Sequence, residues 1–351
     1  MSEMTNICVS TTGEKKRLHY IDVAKGILIL LVVYGHLYAW TTKLNPDAAD
    51  YVLQSLNFFI SFYMPAFFVI TGFCSNFKKP FPVFFLSSFK AILLPGLFFS
   101  LFDAIINFNL NLQHFYRIGK EFLLYGGRYW FLSALFVARL VYWFLCNHLS
   151  INKTIICSIL LFVASFILTQ FYDYYEFWYF IHALLLTPYL CLGQILRYKN
   201  NTYFISAAII YIITLFITVI LSRMGIFQIK YIDAGFVMLV PAVVQSFINI
   251  NYSMFISLVL LSVSGSIMII GLAKKIEKNM ILEYMGQNSL IIYCVHGIIL
   301  RKISWYLGES YFATFQYFMI VMLVFIFTIL LSCAISYVLN CRYLKIFIGK
   351  F

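Results

Sequence analysis

The sequence predicts an all-α polytopic membrane protein, with about ten transmembrane helices in one bundle. Of its 351 residues, 63% are hydrophobic and only 11% are charged, and the mean hydropathy is +0.90. A soluble globular domain is roughly half apolar and about a quarter charged. The apolar runs are also longer than the alternating segments of about ten residues that are typical of an outer-membrane barrel. The composition therefore favours a helical bundle in a lipid bilayer.

The basic residues predict how the helices are oriented. Lys and Arg outnumber Asp and Glu by 25 to 13, which gives a net charge of +12. They collect in short loops and at helix ends, as expected of cytoplasmic loops in a membrane protein, so we do not expect nucleic-acid binding. Both termini are then predicted to lie in the cytoplasm. The eight cysteines show no metal-ligand spacing, and we expect no metal.

Ten apolar runs are long enough for helices that cross the hydrocarbon core, which takes about 20 residues. The runs are residues 20–40, 51–74, 83–108, 129–147, 154–171, 177–196, 202–222, 252–273, 289–307 and 314–338. Residues 1–19 are predicted to form a basic cytoplasmic tail, 20–340 the membrane domain, and 341–351 a short cytoplasmic tail. Pro65 and Gly72 predict a kink near Tyr63–Met64 in the second run.

The stretch 233–250 leaves the number of spans open between ten and eleven. It is apolar but short, and it contains Pro241. If it crosses the membrane, the basic residues that follow it face outward. The excess of Lys and Arg on the cytoplasmic side favours ten spans. The stretch would then be a re-entrant or packed external segment, which is tolerated where protein covers it.

Three ionisable residues share one stripe of the first predicted helix. At about 100° and 1.5 Å per residue, the step from Lys25 to His36 closes to within about 20° and rises about 16 Å. Asp22 lies on the same stripe, to within about 40° of His36. Such groups are costly in lipid, so the stripe should line a polar interior. His36 is the one member that can exchange a proton near neutral pH without help.

Other polar positions have two interpretations each. Arg139, in the middle of the fourth span, needs either a salt bridge or an anion. Lys90 either extends to the inner interface or contacts a phosphate-bearing ligand. His296 either bridges helices or belongs to a site, and Trp130 belongs to an interfacial belt or to a sugar-binding surface.

The motifs resemble one known family. Asp22, Lys25 and Gly26, followed by His36 eleven residues after Lys25, resemble the first helix of the integral-membrane acyltransferase-3 family, with the closest likeness to its fucose 4-O-acetylase-like branch. Further similar segments are residues 62–73, 93–95, 129–132 and 288–296. The resemblance covers about residues 17–340.

This resemblance implies a ten-span enzyme that transfers an acetyl group from cytoplasmic acetyl-CoA to a hydroxyl of a cell-envelope or exported glycan, including a lipid-linked sugar. It implies that His36 is the catalytic histidine, with Lys25 as its basic partner and Asp22 orienting the pair. We take five further residues as candidates for substrate or donor binding: Arg139, Lys90, Tyr63, Trp130 and His296.

Two non-enzymatic alternatives remain. A glycan or glycolipid transporter or flippase would also need a polar interior with aromatic residues, although no paired half-repeats with broken helices are evident. A structural subunit of an envelope complex would explain the hydrophobicity, but not the stripe of Asp22, Lys25 and His36.

Overall fold

The chain is almost entirely helical in the computed structural model. The structure describes residues 7–9, 15–56, 59, 61–106, 112–168, 177–198, 203–223, 252–308, 312–341 and 344–348. Within these ranges the strands are Ile7–Val9 and Lys15–Arg17, an antiparallel pair with Cys8 opposite Lys16. This short hairpin lies in the predicted polar tail. The all-α class predicted for the membrane domain is confirmed.

Fourteen α-helices are described within those ranges. They are α1 His19–Thr41, α2 Pro46–Leu56, α3 Tyr63–Cys74, α4 Phe81–Ser88, α5 Leu94–Ile106, α6 Leu112–Tyr125, α7 Trp130–His148, α8 Ile151–Leu168, α9 Phe180–Tyr198, α10 Phe204–Arg223, α11 Tyr252–Ile276, α12 Met280–Gln287, α13 Ser289–Leu307 and α14 Thr314–Leu339. Shorter 3₁₀ turns cover Thr42–Leu44, Phe177–Tyr179 and Lys345–Ile348.

The apolar helices agree with the predicted spans. In the described chain, eight helical stretches are long and apolar enough to cross a bilayer: His19–Tyr38, Phe81–Ile106, Phe115–His148, Ile151–Leu168, Phe177–Arg197, Val259–Ile276, Ser289–Leu307 and Thr314–Leu339. Two shorter apolar helices, Tyr63–Cys74 and Phe204–Ile220, coincide with the predicted second and seventh spans. The protein is therefore a multi-pass integral membrane protein.

The second predicted span is not one continuous helix. Helix α2 ends at Leu56, turn residues precede Tyr63, and α3 then begins. The prediction of a kinked helix over 51–74 was wrong at this point. Pro65 explains the break, because a proline in the first turn of a helix lacks only an N–H that has no partner there. Tyr63 thus lies at the start of a helix, with its side chain buried.

The third predicted span contains a π-helical turn, Phe89–Leu93, between α4 and α5. Pro95 follows this turn after Leu94, and its ring would clash with the carbonyl four residues before it in a regular α-helix. The wider turn accommodates this residue, and such turns are frequent at functional sites. Lys90 lies within this turn and is half-buried.

Helix α12 was not predicted from the sequence. The Asn279 side chain accepts a hydrogen bond from the backbone N–H of Leu282 at 3.0 Å, and the Asn279 N–H donates to Glu283 Oε1 at 3.2 Å. These reciprocal bonds satisfy donors at the start of the helix. The helix is short, and it packs against α1.

The described residues group into two compact units. Unit 1 draws on the ranges Met1–Arg17, Phe68–Asn200 and Leu339–Phe351, and unit 2 on Leu18–Phe67 and Asn201–Val338. In unit 1, α9 packs on α7, α8 and the end of α3. In unit 2, α1 packs on α11, α12 and α13.

Helices α10 and α11 of unit 2 run antiparallel. Phe204, at the start of α10, lies against Gly271 and beneath the Lys275 ammonium, both near the end of α11. Further along α10, Tyr211 packs on Phe62, which also lies against Gly265, earlier in α11. The chain therefore leaves α10 and enters α11 at the same end of the pair, as the ten-span prediction requires. The stretch 233–250 itself lies outside the described residues.

Candidate functional site

Helix α13 runs beside α1 in the same direction, and the short α12 packs on the first part of α1. Near the start of α1, His19 Nδ1 lies 2.6 Å from Glu283 Oε2 of α12. Seventeen residues further along α1, the ring of His36 lies against the ring of His296 in α13. The first and ninth predicted spans are both expected to run outward, so the parallel direction agrees with the ten-span topology.

Two glycines bring the backbones of α1 and α12 into contact. A Cβ on Gly26 would lie 2.1 Å from the carbonyl oxygen of Leu282, and a Cβ on Gly286 would lie 1.8 Å from the carbonyl oxygen of Asp22. No side chain larger than hydrogen fits at either position without backbone movement. Gly26 of the first-helix motif therefore has a packing role. The same contact buries Asp22 completely.

His36 is held in a defined orientation by its own helix. Its Nδ1 lies 2.8 Å from the carbonyl oxygen of Val32, one turn earlier. A carbonyl only accepts, so this bond places the imidazole proton on Nδ1 and leaves a lone pair on Nε2. The side chain is half-buried. His36 therefore presents an unprotonated nitrogen that can accept a proton.

His296 repeats the same local arrangement on α13. Its Nδ1 lies 3.0 Å from the carbonyl oxygen of Ile292, and its side chain is only 3% exposed. Within the described chain, its buried Nε2 has no hydrogen-bond partner. Leaving such an acceptor unsatisfied costs about 1–3 kcal/mol, which suggests a functional reason for a histidine here.

The rings of His36 and His296 form an edge-to-face pair. Their centroids are 4.8 Å apart and their planes are inclined by 69°. Tyr293 also packs against His296, with ring centroids 5.9 Å apart. The structure thus brings together one predicted catalytic residue and one predicted binding residue, which are 260 positions apart in the sequence.

Lys25 and Asp22 share α1 with His36 but are not beside it. The separation of Lys25 and His36 along the helix axis is about 16 Å, since each residue adds about 1.5 Å. Lys25 is half-buried. Both residues interact with other groups of the protein, and their catalytic roles stay predictions.

Arg139 lies in unit 1 with its guanidinium group buried among hydroxyls and aromatic rings. Nη1 donates to Ser75 Oγ at 2.6 Å, while Nε and Nη2 donate to Ser88 Oγ at 3.3 and 3.2 Å. The rings of Phe77 and Phe84 lie 5.9 and 5.1 Å from its central carbon. In the described chain no carboxylate pairs with Arg139. Of the two predicted interpretations, the salt bridge is therefore absent from the described residues.

The cation–π contacts of Arg139 do not by themselves offset the cost of burying its charge. A desolvated cation–π contact contributes about 2 kcal/mol. Removing an ion from water costs several kcal/mol even after the protein relaxes. Only 6% of Arg139 is exposed, so water contributes little.

Trp130 belongs to an aromatic cluster in unit 1 with Tyr179 and His182. The ring of Trp130 lies 6.4 Å from those of Tyr179 and His182, and the ring of Tyr179 lies 5.8 Å from that of His182. Trp178 donates from Nε1 to the carbonyl of Leu123 at 3.0 Å.

The backbone of this cluster is strained. Trp178 and Tyr179 have φ angles of 54° and 50°, a left-handed conformation that costs about 1–3 kcal/mol for a residue other than glycine. Strain of this kind is common at binding sites. The sequence showed only a run of aromatic residues, typical of an interfacial belt, and contained no signal for the strained turn.

No group of three or more His, Cys, Asp or Glu side chains in the described ranges is arranged to hold a metal ion. His36 and His296 supply two nitrogens, whereas structural and catalytic zinc sites use at least three protein ligands.

A family model described as an acyltransferase domain matches residues 18–337, which is 320 of the 351 residues. The match includes α1 with His36 and α13 with His296. No curated protein and no solved structure matched the chain.

Proposed function

We propose, since this chain belongs to the acyltransferase-3 family of membrane acyltransferases, that it transfers an acetyl group from cytoplasmic acetyl-CoA to a hydroxyl of a cell-envelope or exported glycan. His36 is the general base of this reaction. The proposal places the protein in the bacterial cytoplasmic membrane and in the fucose 4-O-acetylase-like branch. The single observation that carries it is the Nδ1 bond of His36, which leaves Nε2 able to accept a proton.

The proposed reaction begins with a sugar hydroxyl, a poor nucleophile at neutral pH. His36 Nε2 takes the hydroxyl proton while the hydroxyl oxygen attacks the thioester carbonyl carbon. The C–S bond then breaks, and the departing thiolate takes the proton from the imidazolium. The products are an acetyl ester and coenzyme A. General base catalysis of this kind contributes about 10²–10⁴-fold in rate.

His296 is the positioning residue for His36 in this mechanism. Its ring edge limits the movement of the His36 ring, and its own Nε2 lone pair is buried beside it. When His36 takes a proton, the nearby lone pair of His296 stabilises the new positive charge. Protonation of both rings at once is disfavoured because two like charges would lie within van der Waals contact.

Lys25 acts on the donor rather than on the reacting carbonyl. A lysine side chain is much shorter than the roughly 16 Å of helix between Lys25 and His36. It therefore does not reach an oxyanion formed beside His36. The pantetheine arm of acetyl-CoA is long and extended. One donor molecule can therefore place its thioester at His36 and a phosphate group at Lys25. Asp22 orients Lys25 from the preceding turn.

The glycan acceptor is supported by the aromatic cluster at Trp130. Sugar rings stack through their apolar C–H faces on aromatic side chains. Trp130, Tyr179 and His182 are each only half-buried, which leaves ring surface for such contacts. The strained turn at Trp178 and Tyr179 holds this surface in one conformation.

The decisive experiment measures acetyl transfer by the full-length protein in detergent micelles or nanodiscs. Acetyl-CoA with a labelled acetyl group and a glycan acceptor are supplied, and both acetylated glycan and free coenzyme A are quantified by chromatography. His36→Asn removes the base but keeps an N–H that can donate to Val32. His148→Ala, an exposed histidine at the end of α7, is the matched control.

We expect His36→Asn to lose at least 10²-fold in rate, in line with the contribution of general base catalysis, and His148→Ala to match the wild type. Full activity of His36→Asn at normal protein levels would remove His36 from the mechanism. Glycan transport without release of coenzyme A would favour the flippase alternative.

A further inference from the structure

A second candidate site lies in unit 1, where two guanidinium groups meet at Ser75. Arg139 donates to the Ser75 hydroxyl at 2.6 Å, and Arg197 donates from Nη1 to the Ser75 carbonyl at 3.3 Å. Ser75 follows the last residue of α3. Two positive charges from α7 and α9 therefore converge on one residue.

The carboxylates of unit 1 are already engaged elsewhere. In its described ranges the acidic residues are Asp103 and Glu121. Asp103 accepts from Arg128, and Glu121 lies 3.7 Å from Arg117 on α6. Arg128 precedes Arg139 by 11 residues, or about 16 Å of helix if α7 extended to it. Neither acid is paired with the guanidinium groups at Ser75.

The end of α3 offsets these charges only partly. The carboxyl end of a helix carries about half a negative charge, and nearby Arg or Lys side chains often bind its last carbonyls. This accounts well for Arg197, which binds a backbone carbonyl. It leaves most of the charge of Arg139 without compensation, because Arg139 contacts only neutral side chains.

The hydrogen-bond donors of this group are not all used. A guanidinium has five N–H groups, and three of them donate to Ser75 and Ser88. Two N–H groups of Arg139 thus have no acceptor in the described chain. Each serine hydroxyl accepts from Arg139 and can still donate its own proton. The unused donors belong to one buried cluster, with an excess of positive charge.

We propose that Arg139, together with Ser75, Ser88 and Arg197, forms a binding site for a phosphate group. A phosphate offers several acceptor oxygens and the negative charge that the cluster lacks, and guanidinium groups bind phosphate through paired N–H donors. Lys90 lies two residues after Ser88, in the π-helical turn, and adds positive charge to this part of unit 1. The ligand is either a soluble phosphate ester or diphosphate, or a phospholipid headgroup.

If the ligand is coenzyme A, the site binds the acyl donor of the proposed acetyl transfer, and that assignment rests on the proposed function. Phosphate binding itself does not depend on that reaction. The binding test therefore uses no glycan acceptor, and it is repeated with His36→Asn. Retained phosphate binding in a His36→Asn protein that lacks transferase activity separates the two proposals.

The test measures the melting temperature of the full-length protein in an uncharged, phosphate-free maltoside detergent. Three ligands are added separately: inorganic pyrophosphate, coenzyme A and a short-chain phosphatidic acid. Binding to the folded state raises the melting temperature as the ligand concentration rises. The variants are Arg139→Gln and Ser88→Ala, and the matched control is Arg117→Gln, which removes an exposed arginine of the same unit.

We expect the wild type and Arg117→Gln to be stabilised by a phosphate ligand with the same affinity. Arg139→Gln should bind at least tenfold more weakly, and Ser88→Ala should lie in between. Stabilisation by pyrophosphate and coenzyme A identifies a soluble ligand, whereas stabilisation by phosphatidic acid alone identifies a lipid headgroup. Absence of stabilisation by all three ligands, or equal loss in Arg117→Gln, would overturn the proposal. If Arg139→Gln does not fold, the comparison of Ser88→Ala with Arg117→Gln decides.

Discussion

His36 of α1 and His296 of α13 lie edge to face with ring centroids 4.8 Å apart, and each donates from Nδ1 to the carbonyl of the residue four positions earlier. The orientation of each ring is therefore fixed by a hydrogen bond within its own helix. Each retains its lone pair on Nε2. The pair combines a half-buried base with a buried neighbour, which is suited to moving one proton.

The first prediction concerns His296, which we expect to act through its nitrogen and not only through its volume. His296→Phe keeps an aromatic ring against His36 but removes both nitrogens. We expect kcat to fall about tenfold while KM for acetyl-CoA changes little, because loss of a positioning residue should cost less than the about 10²–10⁴-fold contributed by the general base itself. Steady-state kinetics and the pH profile of kcat provide the measurement.

His296→Gln is the companion variant, because it restores a polar acceptor at the same depth. Partial recovery of kcat in His296→Gln relative to His296→Phe is expected. Wild-type kinetics in His296→Phe would show that this residue only fills space.

The second prediction separates donor binding from oxyanion stabilisation at Lys25. Because Lys25 lies about 16 Å along α1 from His36, its loss should weaken donor binding and leave the chemical step largely intact. We expect Lys25→Ala to raise KM for acetyl-CoA about tenfold, with a smaller change in kcat. Lys25→Arg should retain most of the affinity, since it keeps the charge. A fall in kcat at saturating acetyl-CoA, with an unchanged KM, would instead place Lys25 at the reacting carbonyl.

Much of the helical pattern is predictable from the sequence. The first apolar run, 20–40, agrees closely with α1, His19–Thr41, because about 20 apolar residues without a helix breaker form a transmembrane helix. The shared stripe of Lys25 and His36 follows from helix geometry alone. The break before Tyr63 was misjudged, because a proline inside an apolar run signals either a kink or a helix start, and local sequence does not distinguish them.

Long-range packing supplied what local patterns do not contain. His36 and His296 meet because Gly26 and Gly286 let α12, and with it α13, approach α1 closely. That contact joins residues 260 positions apart, and no periodicity in either helix predicts it. The hydroxyl partners of Arg139 were missed for the same reason, since Ser75 and Ser88 resemble ordinary small residues in the sequence.

The third prediction tests the aromatic cluster as an acceptor surface. Trp130→Ala should raise KM for the glycan acceptor about tenfold and leave KM for acetyl-CoA unchanged, because aromatic stacking contributes about 0.5–1.5 kcal/mol per ring pair beyond area burial. Trp130→Phe should retain most of the affinity. The control is Trp305→Ala, at an exposed tryptophan of α13 that lies outside the cluster. Equal effects of Trp130→Ala and Trp305→Ala would mean that both rings serve as membrane-interface anchors.

The fourth prediction concerns the backbone contact that places α12 and α13 against α1. Gly26→Ala puts a methyl group 2.1 Å from the carbonyl oxygen of Leu282, and the clash is with backbone, so no side-chain rotation relieves it. Overpacking of this kind costs about 1–3 kcal/mol, which exceeds the gain of up to about 1 kcal/mol from replacing a helical glycine by alanine. We therefore expect a lower melting temperature, together with reduced kcat because the pairing of His36 and His296 depends on this contact.

Gly297→Ala is the matched control in α13, where a new Cβ would meet no atom within 4 Å and the melting temperature should hold or rise. A Gly26→Ala protein that melts at or above the wild-type temperature would show that α12 does not press on α1 at this point, and the geometric basis for the histidine pair would then be lost.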